Sequence, residues 1–111
     1  MTRCLILSCT QAKRDDDGLL PALERYDGPT FRVIRRFLAD ADPALRGVDI
    51  YVVSARYGLI AADQRIADYD QRMTRTRAAE LRPQVLDRLE GILGRGYAEL
   101  FLLLGRTYLE A

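Results

Sequence analysis

The chain has 111 residues, 49% of them hydrophobic and 30% charged, with a net charge of +1; this is the size of one domain that buries roughly two-thirds of its unfolded surface. It contains no histidine, which excludes serine–histidine catalysis and histidine-based zinc sites, and its near-neutral balance excludes a global basic field for holding nucleic acid. No apolar run approaches the roughly 20 residues of a bilayer span, and the N-terminus shows neither a basic leader nor a small-residue cleavage site. A cytoplasmic, non-membrane protein is therefore expected, with Cys4 and Cys9 as reduced thiols.

In chain order, Cys4-Leu5-Ile6-Leu7 reads as a short buried strand and Val48 to Val53, rich in β-branched residues, as a second. Between them Phe31, Ile34 and Leu38 fall at helical spacing, with Val33 and Phe37 widening the stripe and Arg32, Arg35 and Arg36 largely outside it. Asp42-Pro43 closes that helix. Leu81, Val85, Leu89 and Ile92 form a second helical stripe, with Thr74 or Thr76 as N-cap and Gly94 and Gly96 as stop signals. Pro83 implies either a start near it or a bend. Leu100 to Leu104 is a third apolar run, short enough to be a strand and ended by Gly105. The pattern predicts a single three-layer α/β domain with a short, mainly parallel sheet and a β-α-β-α-β core. Seven residues follow the third strand, so cover for the sheet is expected from a partner, and a homodimer is expected. The stretch from Cys9 to Pro29 is long for a connection and reads as a functional loop.

Ligands of open α/β sheets bind beyond the carboxyl ends of the strands. The first end offers Ser8, Cys9, Lys13 and Arg14; the second Ser54, Arg56, Tyr57 and Gly58; the third Gly105, Arg106 and Tyr108. Each pairs a small residue, which lets backbone N–H groups approach a ligand, with a cation for phosphate or carboxylate. Lys13 is the only lysine beside sixteen arginines; a position that keeps an ammonium points to a site, and a surface lysine is the alternative. Cys9 lies near that cation and is a possible nucleophile or a small residue at a tight turn. Tyr57, Tyr69 and Tyr108 are candidates for stacking on a base, or fill the rim of the core. Asp68 and Asp70 are the candidate carboxylates, or solvated surface. Asp15-Asp16-Asp17 does not have calcium-loop spacing, no glycine-rich phosphate loop follows the first strand, and neither a metal nor a cofactor is expected.

The set Ser8-Cys9 with Lys13, Pro21-Ala22, Tyr26-Asp27-Gly28-Pro29 with Phe31-Arg32, Ser54 to Ile60, and Asp68-Tyr69-Asp70 resembles a small bacterial and phage domain family of unknown function. That family looks distantly similar to the YaaA peroxide-stress family and to a domain of the archaeosine synthases. The resemblance runs from Leu5 to Tyr108, with Lys13-Arg14 standing where members typically carry paired lysines. It implies a nucleotide or modified-base context and no particular reaction.

The reading that follows is an enzyme processing a nucleotide, nucleoside or modified base, with chemistry at an N-glycosidic bond. Lys13, Arg14 and Arg56 would hold phosphate, Ser8 and Ser54 would orient the ligand, Tyr57 or Tyr69 would stack, and Asp68, Asp70 or Cys9 would serve the reacting centre. The alternative is a noncatalytic nucleic-acid or nucleotide-binding module contacting phosphates through Arg32, Arg35, Arg36, Arg72, Arg75 and Arg77. A third reading is an interaction subunit whose strand ends are purely structural.

Overall fold

A computed structural model describes residues 3–9, 13–15, 18–40, 48–69, 73–97 and 99–104, with backbone only for 37–40 and 99. Four strands form one sheet: β1 (Arg3–Ser8), β3 (Val48–Ser54), β4 (Gly58–Ala61) and β6 (Glu99–Leu103), in the order β4-β3-β1-β6. Strand β1 runs parallel to β3 on one side and to β6 on the other, while β4 turns back antiparallel to β3. The sheet is therefore mixed but mainly parallel. Two further strands, β2 (Leu20–Pro21) and β5 (Arg65–Ile66), form a small antiparallel ladder.

Side-chain alternation along the strands divides the core into two layers. Leu5, Leu7, Ile50 and Val52 meet Phe31 and Ile34 of helix α2 (Pro29–Asp40). Cys4, Ile6, Tyr51 and Val53 meet Leu81, Val85 and Ile92 of helix α3 (Arg75–Leu93). One helix thus covers each face, giving the three layers expected from the sequence. Burial of each large aliphatic side chain contributes roughly 1.5–3 kcal/mol, so both faces are needed to hold a chain of this length. The two cysteines are free and buried, Cys4 on the α3 face and Cys9 on the α2 face.

Some expectations change. Val33 does not widen the buried stripe of α2; it is 66% exposed. Pro83 does not start α3, which begins at Arg75 behind the Thr74 cap, whose hydroxyl accepts from the Arg77 N–H at 3.1 Å, and runs through the proline to Gly94. Asp42 and Pro43 lie outside the described residues. The strand after Val53 does not simply end: Ala55-Arg56-Tyr57 is a turn into β4, made by Gly58 at φ +76°, a backbone region that side-chain-bearing residues rarely adopt. A Cβ on Gly58 would lie 2.0 Å from the Gln84 Oε1. That carboxamide accepts from the Leu59 N–H (3.0 Å) and donates to the Leu59 carbonyl (3.2 Å), so α3 seals the β4 edge. The described part of the long connection after β1 contains β2 and helix α1 (Ala22–Arg25). Among the described residues no helix is long and apolar enough to cross a membrane.

Candidate functional site

Strands β1 and β3 end side by side, with Ser8 level with Val53 and the Cys9 N–H donating to the Val53 carbonyl at 3.0 Å. Beyond them three hydroxyls from distant parts of the chain meet. Tyr26 Oη donates to Ser54 Oγ at 2.9 Å, Tyr26 and Tyr69 Oη are 2.6 Å apart, and Ser54 Oγ and Tyr69 Oη are 3.0 Å apart. Each hydroxyl has one hydrogen. With Tyr26 donating to Ser54, the three bonds close as a ring in which Ser54 donates to Tyr69 and Tyr69 to Tyr26, each bond polarising the next. Ser54 Oγ also accepts from the N–H groups of Arg56 (3.2 Å) and Tyr57 (3.1 Å), and the Ala55 N–H points at Cys9 Sγ (3.4 Å).

Burial raises the ionisation of both phenols. Tyr26 is pushed far above the usual phenol range by burial first and then by Tyr69 and Cys9. Tyr69 is pushed up to about 12, again by burial first and then by Cys9, against the opposing hydrogen bonds of Ser54 and Tyr26. Both are neutral at physiological pH, so they offer hydrogen-bonding hydroxyls and no phenolate.

On this ring sits the lysine. The backbone of Lys13 bridges that of Tyr26, and its Nζ lies 4.4 Å from the Tyr69 ring centroid and 6.0 Å from that of Tyr26, within cation–π range. The Tyr57 ring stands edge-on to Tyr69 at 5.7 Å and 85°, and the Arg56 guanidinium is 5.6 Å from the Tyr57 centroid. Lys13, Tyr69, Tyr57 and Arg56 therefore form a rim of two cations and two aromatic rings above the hydroxyl ring.

Two arginines fix this arrangement through backbone carbonyls. Arg25, fully buried, donates to the carbonyls of Arg14 (2.7 Å), Gly18 (2.7 Å) and Ile66 (3.3 Å). It thereby ties the segment carrying Lys13 to the strand that leads into Tyr69. Arg77 of α3 donates to the carbonyls of Ala55 and Arg56, both at 2.7 Å, leaving the N–H groups of that turn directed at Ser54 and Cys9.

The structure thus brings Cys9, Lys13, Ser54, Arg56, Tyr57 and Tyr69 together, but changes several roles. Ser54 is fully buried and surrounded by donors, so it holds the turn instead of orienting a ligand. Tyr69 carries Lys13 on its ring and has two other tyrosines packed edge-on, which takes it out of base stacking. Gly58 accommodates Gln84 and needs no ligand to explain it. Ser8 faces away: the alternation that turns Leu7 and Cys9 to the α2 face turns it to the other. Arg14 and Asp68 are exposed. Asp70, Gly105, Arg106 and Tyr108, and with them the third strand end, lie outside the described residues, as does Arg72. The sequence marks Tyr26 only through the Tyr26-Asp27-Gly28-Pro29 motif and Arg77 only as a candidate phosphate contact, and it gives no signal for Arg25. A cleft of about 500 Å³ opens near the amino end of β3, between Asp49, Tyr51, Arg88 and Arg95. It holds none of the ring residues; of its polar groups, Arg95 Nη1 donates to Tyr51 Oη at 2.6 Å and Asp49 accepts from the Tyr97 hydroxyl.

The chain belongs to a family described as a family of unknown function (DUF6884), which matches residues 4–111. No curated protein matches it, and no solved structure does.

Proposed function

We propose that this chain is an enzyme of the cytoplasm that processes a nucleotide, nucleoside or modified base, holding the anionic part of its substrate between Lys13 and Arg56. The observation that carries this reading is the rim of Lys13, Tyr69, Tyr57 and Arg56 beyond the carboxyl ends of parallel strands, where sheets of this type bind ligands. An ammonium backed by an aromatic ring is held in place, so less conformational freedom is lost when an anion arrives. A base would lie against Tyr57, half-buried beside Arg56 at this rim. Cys9 Sγ, with the Ala55 N–H aimed at it, is the nucleophile candidate, and the exposed carboxylate of Asp68 the proton acceptor. The family's distant similarity to the YaaA family and to a domain of the archaeosine synthases supports a nucleotide or modified-base context; the proposed chemistry is at the N-glycosidic bond.

A noncatalytic nucleic-acid module draws less support. Arg32 and Arg35 pair with Asp27 at 3.0 and 2.6 Å, whose carboxyl they hold below its usual range, Arg32 first. Arg35 also donates to the carbonyls of Leu23 and Tyr26, and Arg77 is engaged by the turn. The test is a thermal-shift screen of nucleotides, nucleosides and sugar phosphates on the wild type and Lys13→Ala. A ligand at a hundred times its Kd adds roughly 2.7 kcal/mol of stability. The expected result is stabilisation that Lys13→Ala abolishes; no shift with any of these ligands in folded protein overturns the reading.

A further inference from the structure

Strand β6 pairs with β1 on one side and, among the described residues, with no strand on the other. Leu100, Phe101, Leu102 and Leu103 are 40%, 48%, 52% and 53% exposed. Their register with β1 places Phe101 and Leu103 on the α2 face beside Leu5 and Leu7, and Leu100 and Leu102 on the α3 face beside Cys4 and Ile6. Exposure on both faces, together with a backbone edge that no described strand pairs, defines what fits there. A helix would cover one face and leave the edge unpaired. Only a strand flanked by layers above and below satisfies all three, which is the edge of another three-layer sheet.

We propose that the occupant is a second copy of this chain, the two β6 strands pairing antiparallel about a two-fold axis through Leu102. The two sheets then join into one of eight strands. This register sets Leu102 against its own copy, Phe101 against the partner copy's strand opposite Leu103, and Leu100 opposite Leu104, so every apolar position from 100 to 104 meets another, as cross-strand pairing favours. Such an isologous contact closes on itself and leaves no β6 edge for a third copy. At about 200 Å² for a large side chain, half-exposed, the four residues offer roughly 400 Å² per copy. Val33 and the groove beside it, lined by Leu5, Pro29, Ile34 and Leu103, bring the total for two copies to roughly 1,000 Å², the lower end of the area that a biological interface buries. This inference is independent of the proposed function.

The test is sedimentation velocity over a concentration series on the wild type, Leu102→Arg and Leu86→Arg, the last replacing an exposed leucine of α3. The wild type and Leu86→Arg are expected to sediment as dimers and Leu102→Arg as a monomer with an unchanged far-UV spectrum, because the axis sets the two arginines face to face. Leu102→Cys, made in case the arginine prevents folding, is expected to give a covalent dimer on mild oxidation. A monomeric wild type, which would mean that the chain covers its own edge, overturns the proposal. So does a dimer that survives Leu102→Arg, or a Leu102→Cys protein that stays uncrosslinked.

Discussion

On one side of the sheet β4 is closed over by its own chain: Gly58, Leu59 and Ile60 are buried, Gln84 bonds both backbone groups of Leu59, and Arg77 pins the turn before it. On the other side β6 carries four large apolar residues half in solvent. The difference lies in the chemistry each edge uses. The β4 edge is finished by side chains with long, directional hydrogen-bonding groups, each placed once and each tied to a particular backbone atom. The described side chains of β6 offer apolar surface beside repeating backbone donors and acceptors, which specify a partner by pattern. The first kind of edge fixes the turn beyond the carboxyl end of β3; the second invites association.

This contrast is tested most severely at Arg25, another long side chain tied to particular backbone carbonyls, which joins the Lys13 segment to β5. Arg25→Met keeps the apolar stem and removes donors from three carbonyls, one of them buried, and is expected to cost about 3–5 kcal/mol in urea unfolding, since buried acceptors left unmet are expensive. A cost near zero would mean that the segment bearing Lys13 is held by something else. Next comes Gly58→Ala, which forces a side chain into positive φ and displaces Gln84 from Leu59; about 2 kcal/mol is expected, and Gln84→Ala should recover part of it in the double variant.

Smaller still is Tyr26→Phe, which opens the hydroxyl ring and is expected to cost about 1–2 kcal/mol by chemical denaturation. It also carries a pH signature. Tyr26 and Tyr69 both ionise later when folded than the usual phenol near 10, Tyr69 at about 12. Their contribution is therefore complete below pH 10 and is lost as pH rises from about 10 through about 12. Unfolding midpoints measured across this window should fall in the wild type and fall less steeply in Tyr26→Phe. The least effect on folding itself belongs to the β6 edge: Leu102→Arg, measured where the chain is monomeric, is expected to change stability by less than about 0.5 kcal/mol, as an exposed position should.

The sequence made the framework legible where one signal was long enough to be read alone. Apolar runs located β1, β3 and β6, and helical stripes located α2 and α3, because burial on two faces imposes those patterns. Strand β4 escaped because its four residues follow directly on a turn that looked like the end of β3, and β2, β5 and α1 are shorter than any periodicity can show. The site was half legible for a different reason. Lys13, Cys9, Ser54 and Tyr57 lie within a few residues of strand ends, whereas Tyr26 is 28 residues from Ser54 and 43 from Tyr69, separations that only the folded chain closes. Arg25 and Arg77 were hidden among sixteen arginines, and nothing in their neighbours marks a guanidinium that binds carbonyls and not anions.

The solitary lysine has one more consequence. Because no other side-chain amine exists in the chain, reductive methylation with isotope-labelled formaldehyde installs a single side-chain reporter, and it stands at 4.4 Å over the Tyr69 ring. The circulating electrons of that ring should displace the methyl resonance from its position in free dimethyl-lysine. The candidate site thereby carries its own spectroscopic label, readable in a one-dimensional spectrum without assigning the rest of the protein.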